Sequence, residues 1–240
     1  MQENYQPIEL PSKCLLYDGI DPSAVKIRTL KGKDEKIMAE ISNVNFEKKL
    51  CQVLGNVLQG IKPEQLTLGD RMFIILWEAI NTFGNDYPVD TYCIDCDSKI
   101  IIEVDLSVIE VKTLDDGISE PFQIQIENGS SIGVRLFRVE DEIKIYDFEK
   151  NGKSSFGYRY ALTLVDDRDI IQREEFLDNL SAKDVAKIRA VQEKYTHGPI
   201  MEQTYACPKC GGSGRLTIPF QLELIFPYGK TLERYYGETV

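Results

Sequence analysis

Leu66-Thr67-Leu68-Gly69-Asp70, followed by Gly84 and by Cys93-Ile94-Asp95-Cys96, is the stretch on which the fold turns. Its punctuation returns 114 residues later as Leu180-Ser181-Ala182-Lys183-Asp184, Gly198 and Cys207-Pro208-Lys209-Cys210. Each repeated position has a local physical reason. Thr67 with Asp70, and Ser181 with Asp184, have the spacing of an N-cap hydroxyl and an acidic third helical residue, so a helix is expected to start at each. Gly84 and Gly198 fall where a left-handed residue would close a helix of four to five turns. Between cap and glycine, Leu68, Met72, Phe73, Leu76, Ile80 and Phe83 step by three and four, and Ile74, Ile75 and Trp77 fill the other faces, which predicts a buried first helix. The second carries Val185, Ile188, Val191 and Tyr195 on one side and Lys183, Lys187, Arg189 and Lys194 elsewhere, the pattern of an outer amphipathic helix.

Working outward, a second block repeats with a shift of 107: Val25-Lys26-Ile27-Arg28 and Asp34-Glu35 against Ile132-Gly133-Val134-Arg135 and Asp141-Glu142. Strands are predicted at about 24–30, 89–93, 99–105, 122–128, 131–138 and 215–219 from β-branched and aromatic runs, and a helical stretch from Lys33 to Ile61. The expected fold class is α+β: two tandem copies of a mixed helix and strand module, related by pseudo-two-fold symmetry. The Asp115-Asp116-Gly117 turn separates residues 1–113, an N-terminal arm through Pro11 plus the first module, from residues 114–240, the second module plus a C-terminal tail.

Four of the six cysteines form the two Cys-x-x-Cys pairs, while Cys14 and Cys51 stand alone and read as small apolar residues. In a chain with no visible signal peptide, such pairs read as metal ligands or a redox motif before they read as disulfides. Two sulfurs do not close a structural zinc shell, but four do. The simplest assembly therefore sets Cys93, Cys96, Cys207 and Cys210 around one Zn²⁺ per chain, with no open position for a substrate. A redox dithiol is disfavoured because two equivalent copies have no evident catalytic use and neither sits in a thioredoxin-like context. The run Cys207-Pro208-Lys209-Cys210-Gly211-Gly212-Ser213-Gly214 also fits one repeat of the DnaJ-type zinc domain. That domain needs four such repeats, and Cys96 here lacks the following glycines.

The net charge of −11 over 240 residues opposes phosphate backbones, so nucleic acid is not an expected partner. No apolar run approaches the roughly 20 residues that cross a bilayer, and no membrane association is expected. His197 is the sole histidine, which removes multi-histidine metal centres; its place before Gly198 suits a contact with a helix C-terminus. Carboxylate groups such as Asp166-Asp167 with Asp169, and Glu174-Glu175, look like solvated faces. No phosphate loop is present, because Asn151-Gly152-Lys153-Ser154 lacks the upstream glycine. No catalytic site, cofactor-binding loop or small-molecule substrate is therefore expected.

The order Leu10-Pro11-Ser12, Val25-Lys26-Ile27-Arg28 with Asp34-Glu35, Leu66-Thr67 with Asp70, and Gly84 and Tyr87 ahead of a Cys-x-x-Cys resembles the T-even-type bacteriophage baseplate hub assembly proteins. Cys207-Pro208-Lys209-Cys210-Gly211, Ile218-Pro219 and Phe226-Pro227 are similar to that family's C-terminal pattern, and the likeness runs over roughly residues 8 to 227. One departure is Cys93-Ile94-Asp95-Cys96-Asp97 in place of the more usual Cys-Pro-x-Cys-Gly, which keeps all four sulfurs. The resemblance implies a non-enzymatic structural or assembly protein of a phage tail baseplate. It would sit in the virion tail or, during assembly, in the host cytoplasm, and bind other tail proteins. The aromatic tail with Tyr228, Tyr235 and Tyr236, together with the N-terminal arm, is the expected contact surface. An alternative reading is a zinc-dependent cytosolic chaperone or adaptor outside the virion.

Overall fold

A computed structural model describes residues 4–42, 44–150, 152 and 155–219. The chain is mixed α+β, and its strands form hairpins and short ladders rather than one continuous sheet. In the first half, β1 (Gln6–Pro7), β2 (Lys26–Ile27) and β3 (Leu58–Gln59) make a small antiparallel sheet. Helices α1 (Gly32–Met38) and α2 (Phe46–Val57) lie between β2 and β3. The stretch expected as helical from Lys33 to Ile61 is thus broken after Met38, and the strand expected at 24–30 shrinks to two residues. Arg28 begins a connection whose carboxylate partner is on α1. Helix α3 (Leu68–Phe83) and the hairpin of β4 (Asp86–Tyr92) with β5 (Lys99–Asp105) complete this half.

After β6 (Val111–Lys112), a hairpin of β7 (Phe122–Gln125) with β8 (Ser131–Val134) leads into four helices. These are α4 (Val139–Glu149), α5 (Phe156–Ala161), α6 (Ile170–Asp178) and α7 (Ala182–Lys194). Strand β9 (Gly198–Pro199) pairs with β6, and a last hairpin joins β10 (Glu202–Ala206) to β11 (Ser213–Thr217). No helix among the described residues is long and apolar enough to cross a membrane.

Both expected helix starts are present: Thr67 and Ser181 each accept the third helical N–H, from Asp70 and Asp184, at 3.2 Å. Helix α3 buries Ile74, Ile75, Leu76 and Ala79, while among the residues of α7 only Asp184 and Ile188 are buried. Gly84 closes α3 at φ 102°. Gly198 has nearly the same φ, 99°, but it does not cap α7, which ends with Tyr195 three residues earlier. Its work is a close crossing: a Cβ on Gly198 would lie 2.5 Å from the Gly69 carbonyl oxygen, and one on Gly69 would lie 2.1 Å from the His197 oxygen.

The larger core draws on both halves, setting Val25, Ile27, Leu54, Val57, Ile74 and Ile75 in one cluster with Phe122, Leu136, Val139, Tyr205, Leu216 and Ile218. A smaller core of Ile124, Ile132, Val134, Leu164, Leu177 and Ile188 lies under α6 and α7. The N-terminal stretch is not a free arm. Its β1 pairs with β2, and Ile8, Leu10 and Pro11 are buried, because an apolar segment gains more from the core than from solvent. Asn4, Gln6, Pro7 and Glu9 of the same stretch stay exposed.

The repeated Arg and Asp at a spacing of six make the same structure twice. Arg28 clamps Asp34 with Nη1 to Oδ2 at 2.7 Å and Nη2 to Oδ1 at 3.2 Å, and Arg135 clamps Asp141 at 2.6 and 2.9 Å. Each Arg Nη1 also donates to the carbonyl of the next residue, and each Asp accepts the N–H three residues before it, so the carboxylate also caps the helix. Burial differs: the Arg28 side chain is 1% exposed and Arg135 is 21% exposed. Removing one partner of a fully buried pair strands a charge, whereas a partly open one can be rehydrated. Asp34→Asn is therefore expected to cost about 3 kcal/mol and Asp141→Asn about half as much, measured by denaturant unfolding. Equal losses would contradict the burial argument.

Candidate metal centre

The two cysteine pairs sit at the tips of the β4–β5 and β10–β11 hairpins, and their loops are superposable in hydrogen bonding. Cys93 N–H donates to the Ser98 carbonyl at 3.0 Å, and Cys207 N–H donates to Gly212 at 2.7 Å. Asp97 N–H returns to the Cys93 carbonyl, and Gly211 N–H to Cys207, each at 2.9 Å. This bond places the residue after the second cysteine in the left-handed region, at φ 52° for Asp97 and 76° for Gly211. The departure noted in the first knuckle therefore has an explanation: aspartate is among the few side chains that tolerate this conformation. Asp97→Gly is expected to raise stability by about 0.5 kcal/mol without changing metal content; a lower melting temperature would show that the Asp97 side chain has another role.

The glycines after Cys210 do more than turn the chain. A Cβ at Gly212 would meet Asp95 Oδ2 of the opposite knuckle at 1.9 Å, so a side chain there, where the two tips approach, would require the exposed Asp95 carboxylate to swing aside. Gly214 lies opposite Tyr205 in the β10–β11 register, and the tyrosine ring covers the space a side chain would need.

This approach brings all four sulfurs within 4.8 Å of one another. Cys93 Sγ is 3.7 Å from Cys210 Sγ, and Cys96 Sγ is 3.9 Å from Cys207 Sγ. These separations are far too long for disulfides, which need about 2.05 Å. They match the ~3.8 Å edge of a tetrahedron whose centre is about 2.3 Å from each sulfur, the zinc–thiolate distance. Cys93 and Cys207 are buried, and Cys96 and Cys210 face solvent. Backbone N–H groups already point at sulfur: Lys209 at Cys207 and Gly212 at Cys210, both at 3.4 Å.

The protonation chemistry agrees with a cation site. Hydrogen bonds from Ser98 pull the Cys96 thiol down to about 6, and the Cys210 N–H leads the lowering of Cys207. Cys210 is pushed up to about 12: the Gly212 N–H lowers it, but the crowding sulfurs of Cys96 and Cys207 outweigh that. Four thiolates at this spacing repel one another unless a cation neutralises them, and soft sulfur donors favour zinc or iron over magnesium or calcium. The donor set, its spacing and its hydrogen bonds thus fit a tetrahedral structural metal.

The sequence model of the T4 bacteriophage base plate protein family matches residues 14–226. The chain belongs to that family. No curated protein and no solved structure matches it. Membership agrees with the resemblance drawn from residue order alone, and makes this a phage base plate protein with tail proteins as its expected neighbours.

The other expected site residues fall elsewhere. Cys14 and Cys51 are buried, and burial raises their thiols to about 11 and about 12, which makes them inert packing groups. His197 Nδ1 lies 2.9 Å from the Tyr195 carbonyl at the end of α7, the helix C-terminal contact expected for it. Since a carbonyl only accepts, Nδ1 carries the proton. Nε2 lies 2.7 Å from Thr67 Oγ1, so the histidine of this base plate protein joins α7 to the cap of α3 and is buried there. The aromatic residues Tyr228, Tyr235 and Tyr236 lie outside the described residues. Sequence reasoning missed Ser98 and Gly212 as supports of the knuckles; the five-residue offset from each first cysteine to Ser98 and Gly212 was the available signal.

Proposed function

We propose that this base plate family member is a non-enzymatic structural or assembly component of the phage tail baseplate or its hub, held in shape by one zinc ion on Cys93, Cys96, Cys207 and Cys210. The observation that carries the reading is the convergence of two identical hairpin knuckles, 111 residues apart between the nearer cysteines, at tetrahedral spacing. Residues 1–113 and 114–240 are read as diverged copies of one module related by pseudo-two-fold symmetry. Their support is local: the paired helix caps, the two Arg and Asp clamps and the two knuckles keep register. A closed tetrathiolate shell leaves no coordination site for a substrate, and His197 is spent on packing, which favours architecture over catalysis.

The partners are other tail proteins, with the protein built in the host cytoplasm and placed in the virion tail baseplate. The aromatic segment Tyr228 to Tyr236, together with the exposed residues of the N-terminal stretch, is the contact surface we favour, since tyrosine anchors are enriched at interfaces. The experiment is co-purification of tail proteins with the full chain and with a chain ending at Pro227. Recovery is expected to fall at least tenfold on truncation, while the melting temperature of the described fold stays unchanged. Undiminished recovery would move the interface elsewhere.

A further inference from the structure

Within a cluster whose four sulfurs all lie within 4.8 Å of one another, two contacts join the knuckles at under 4 Å: Cys93 with Cys210 at 3.7 Å and Cys96 with Cys207 at 3.9 Å. Each of these pairs joins one buried to one exposed cysteine. We infer that the centre is a convertible clasp: a peroxide-class oxidant replaces the metal with two disulfides, Cys93–Cys210 and Cys96–Cys207, that keep the two halves covalently joined.

The exposed sulfur of a pair, Cys96 or Cys210, held as a thiolate in the metal-bound state, attacks one peroxide oxygen; the O–O bond breaks, hydroxide leaves, and the sulfur becomes a sulfenic acid. The buried partner, Cys207 or Cys93, attacks that sulfur, forms the S–S bond and expels a second hydroxide. Two protons from solvent convert the hydroxides to water. Each pair gives up two electrons to one peroxide molecule, and the metal, left without thiolates, departs as a dication. The exposed member is where the oxidant arrives, and the buried member resolves the sulfenic acid before further oxygenation.

Two features favour pairing across the halves over pairing within a knuckle. The knuckle turns are held by their own N–H to carbonyl bonds, at 2.7 to 3.0 Å, so closing a disulfide inside one would break up the loop that presents it. A disulfide spanning 111 or 117 residues also restricts the unfolded chain far more than one closing a four-residue loop. The oxidised chain therefore keeps its halves docked. A base plate protein assembled in a reducing cytosol would exchange one clasp for another in oxidising surroundings, rather than open.

The inference rests on the proposed metal only for the state before oxidation, and the test separates the two. Metal-loaded full-length protein is treated with hydrogen peroxide, alkylated, and cut on the amino side of aspartate and the carboxyl side of lysine. Those cuts, before Asp95 and after Lys209, put each of the four cysteines on its own peptide. The expected result is release of the bound metal, free thiols left at Cys14 and Cys51, and linked peptides pairing Cys93 with Cys210 and Cys96 with Cys207. The oxidised chain should also melt above the reduced, chelated chain. Any other pairing, links between chains, sulfinic acid without disulfide, unreacted thiols or a lower melting temperature overturns the inference. Protein that carries no metal yet yields the same two cross-links defeats the metal reading and the exchange with it, and leaves only the pairing of the disulfides standing. Protein that releases zinc but links Cys93 to Cys96 does the reverse.

Discussion

Cys207→Ser is expected to empty the metal centre and to lower the stability of the protein by several kcal/mol, more than any other single substitution considered for this chain. Structural zinc contributes on the order of 10 kcal/mol in small zinc peptides, where folding and binding are one event. Here the contribution is smaller than that limit, because the β10–β11 hairpin is already anchored by Tyr205, Leu216 and Ile218 in the larger core. What the metal adds is closure between tips that carry no hydrophobic contact of comparable size: Cys96 and Cys210 are exposed, and the neighbouring Ile94 is 75% exposed. Elemental analysis of the wild type should give about one zinc per chain and of Cys207→Ser none, with calorimetry showing a large fall in melting temperature. A strong chelator should reproduce the fall in the wild type and have no effect on the variant. Cys51→Ala serves as the control, since its buried thiol only packs; it should keep the metal and lose about 1 kcal/mol. Wild type that contains no metal, or a Cys207→Ser variant that melts like the control, would remove the centre from the account of stability.

The knuckles were legible because their constraint is local in sequence. Cys-x-x-Cys at a hairpin tip fixes both sulfurs within four residues, and the β5 run Lys99-Ile100-Ile101-Ile102-Glu103-Val104-Asp105 declares its own limits. Thr67 and Ser181 were legible for the same reason, since a cap bonds within its first turn. Elements whose reason lies far along the chain were not. Strand β10, Glu-Gln-Thr-Tyr-Ala, buries only Tyr205 and is a strand because β11 pairs with it. Helices α5 and α6 are short and cover a small core, so the apolar stripe of each is too brief for a period to emerge. Gly198 read as a cap because the sequence shows a glycine after a helix but not Gly69 pressed against it. The clamps at Arg28 and Arg135 lay in the repeat itself: the spacing was visible, but not the burial that makes the first an ion pair of the core.

Stability is also expected to fall as pH rises from about 4.5 to about 8, through one buried carboxyl. Glu78 on α3 is 2% exposed, and burial raises its pKa from 4.5 to about 8, although the Leu30 N–H and the Thr82 hydroxyl, both directed at Oε2, oppose the rise. Arg28 does little to hold the charge because its guanidinium is already clamped to Asp34, which itself repels Glu78. The other oxygen, Oε1, has no hydrogen-bond partner among the described residues, so ionisation would place charge on a buried atom that nothing solvates. A folded-state pKa above the unfolded value means that the folded chain binds the proton more tightly. The stabilisation is whole below about 4.5 and is lost as pH passes through about 8. A shift of this size corresponds to about 4–5 kcal/mol over the window. Glu78→Gln keeps the shape without the titration. Its unfolding free energy should match the wild type near pH 5 and exceed it by several kcal/mol at pH 9. The comparison isolates Glu78, because lowered carboxyls such as Asp166 and Asp184 shift stability only below their ordinary range and do so in both chains. Parallel pH profiles for the two proteins would mean that Glu78 is ionised in the fold and that a rearranged Arg28 pairs with it.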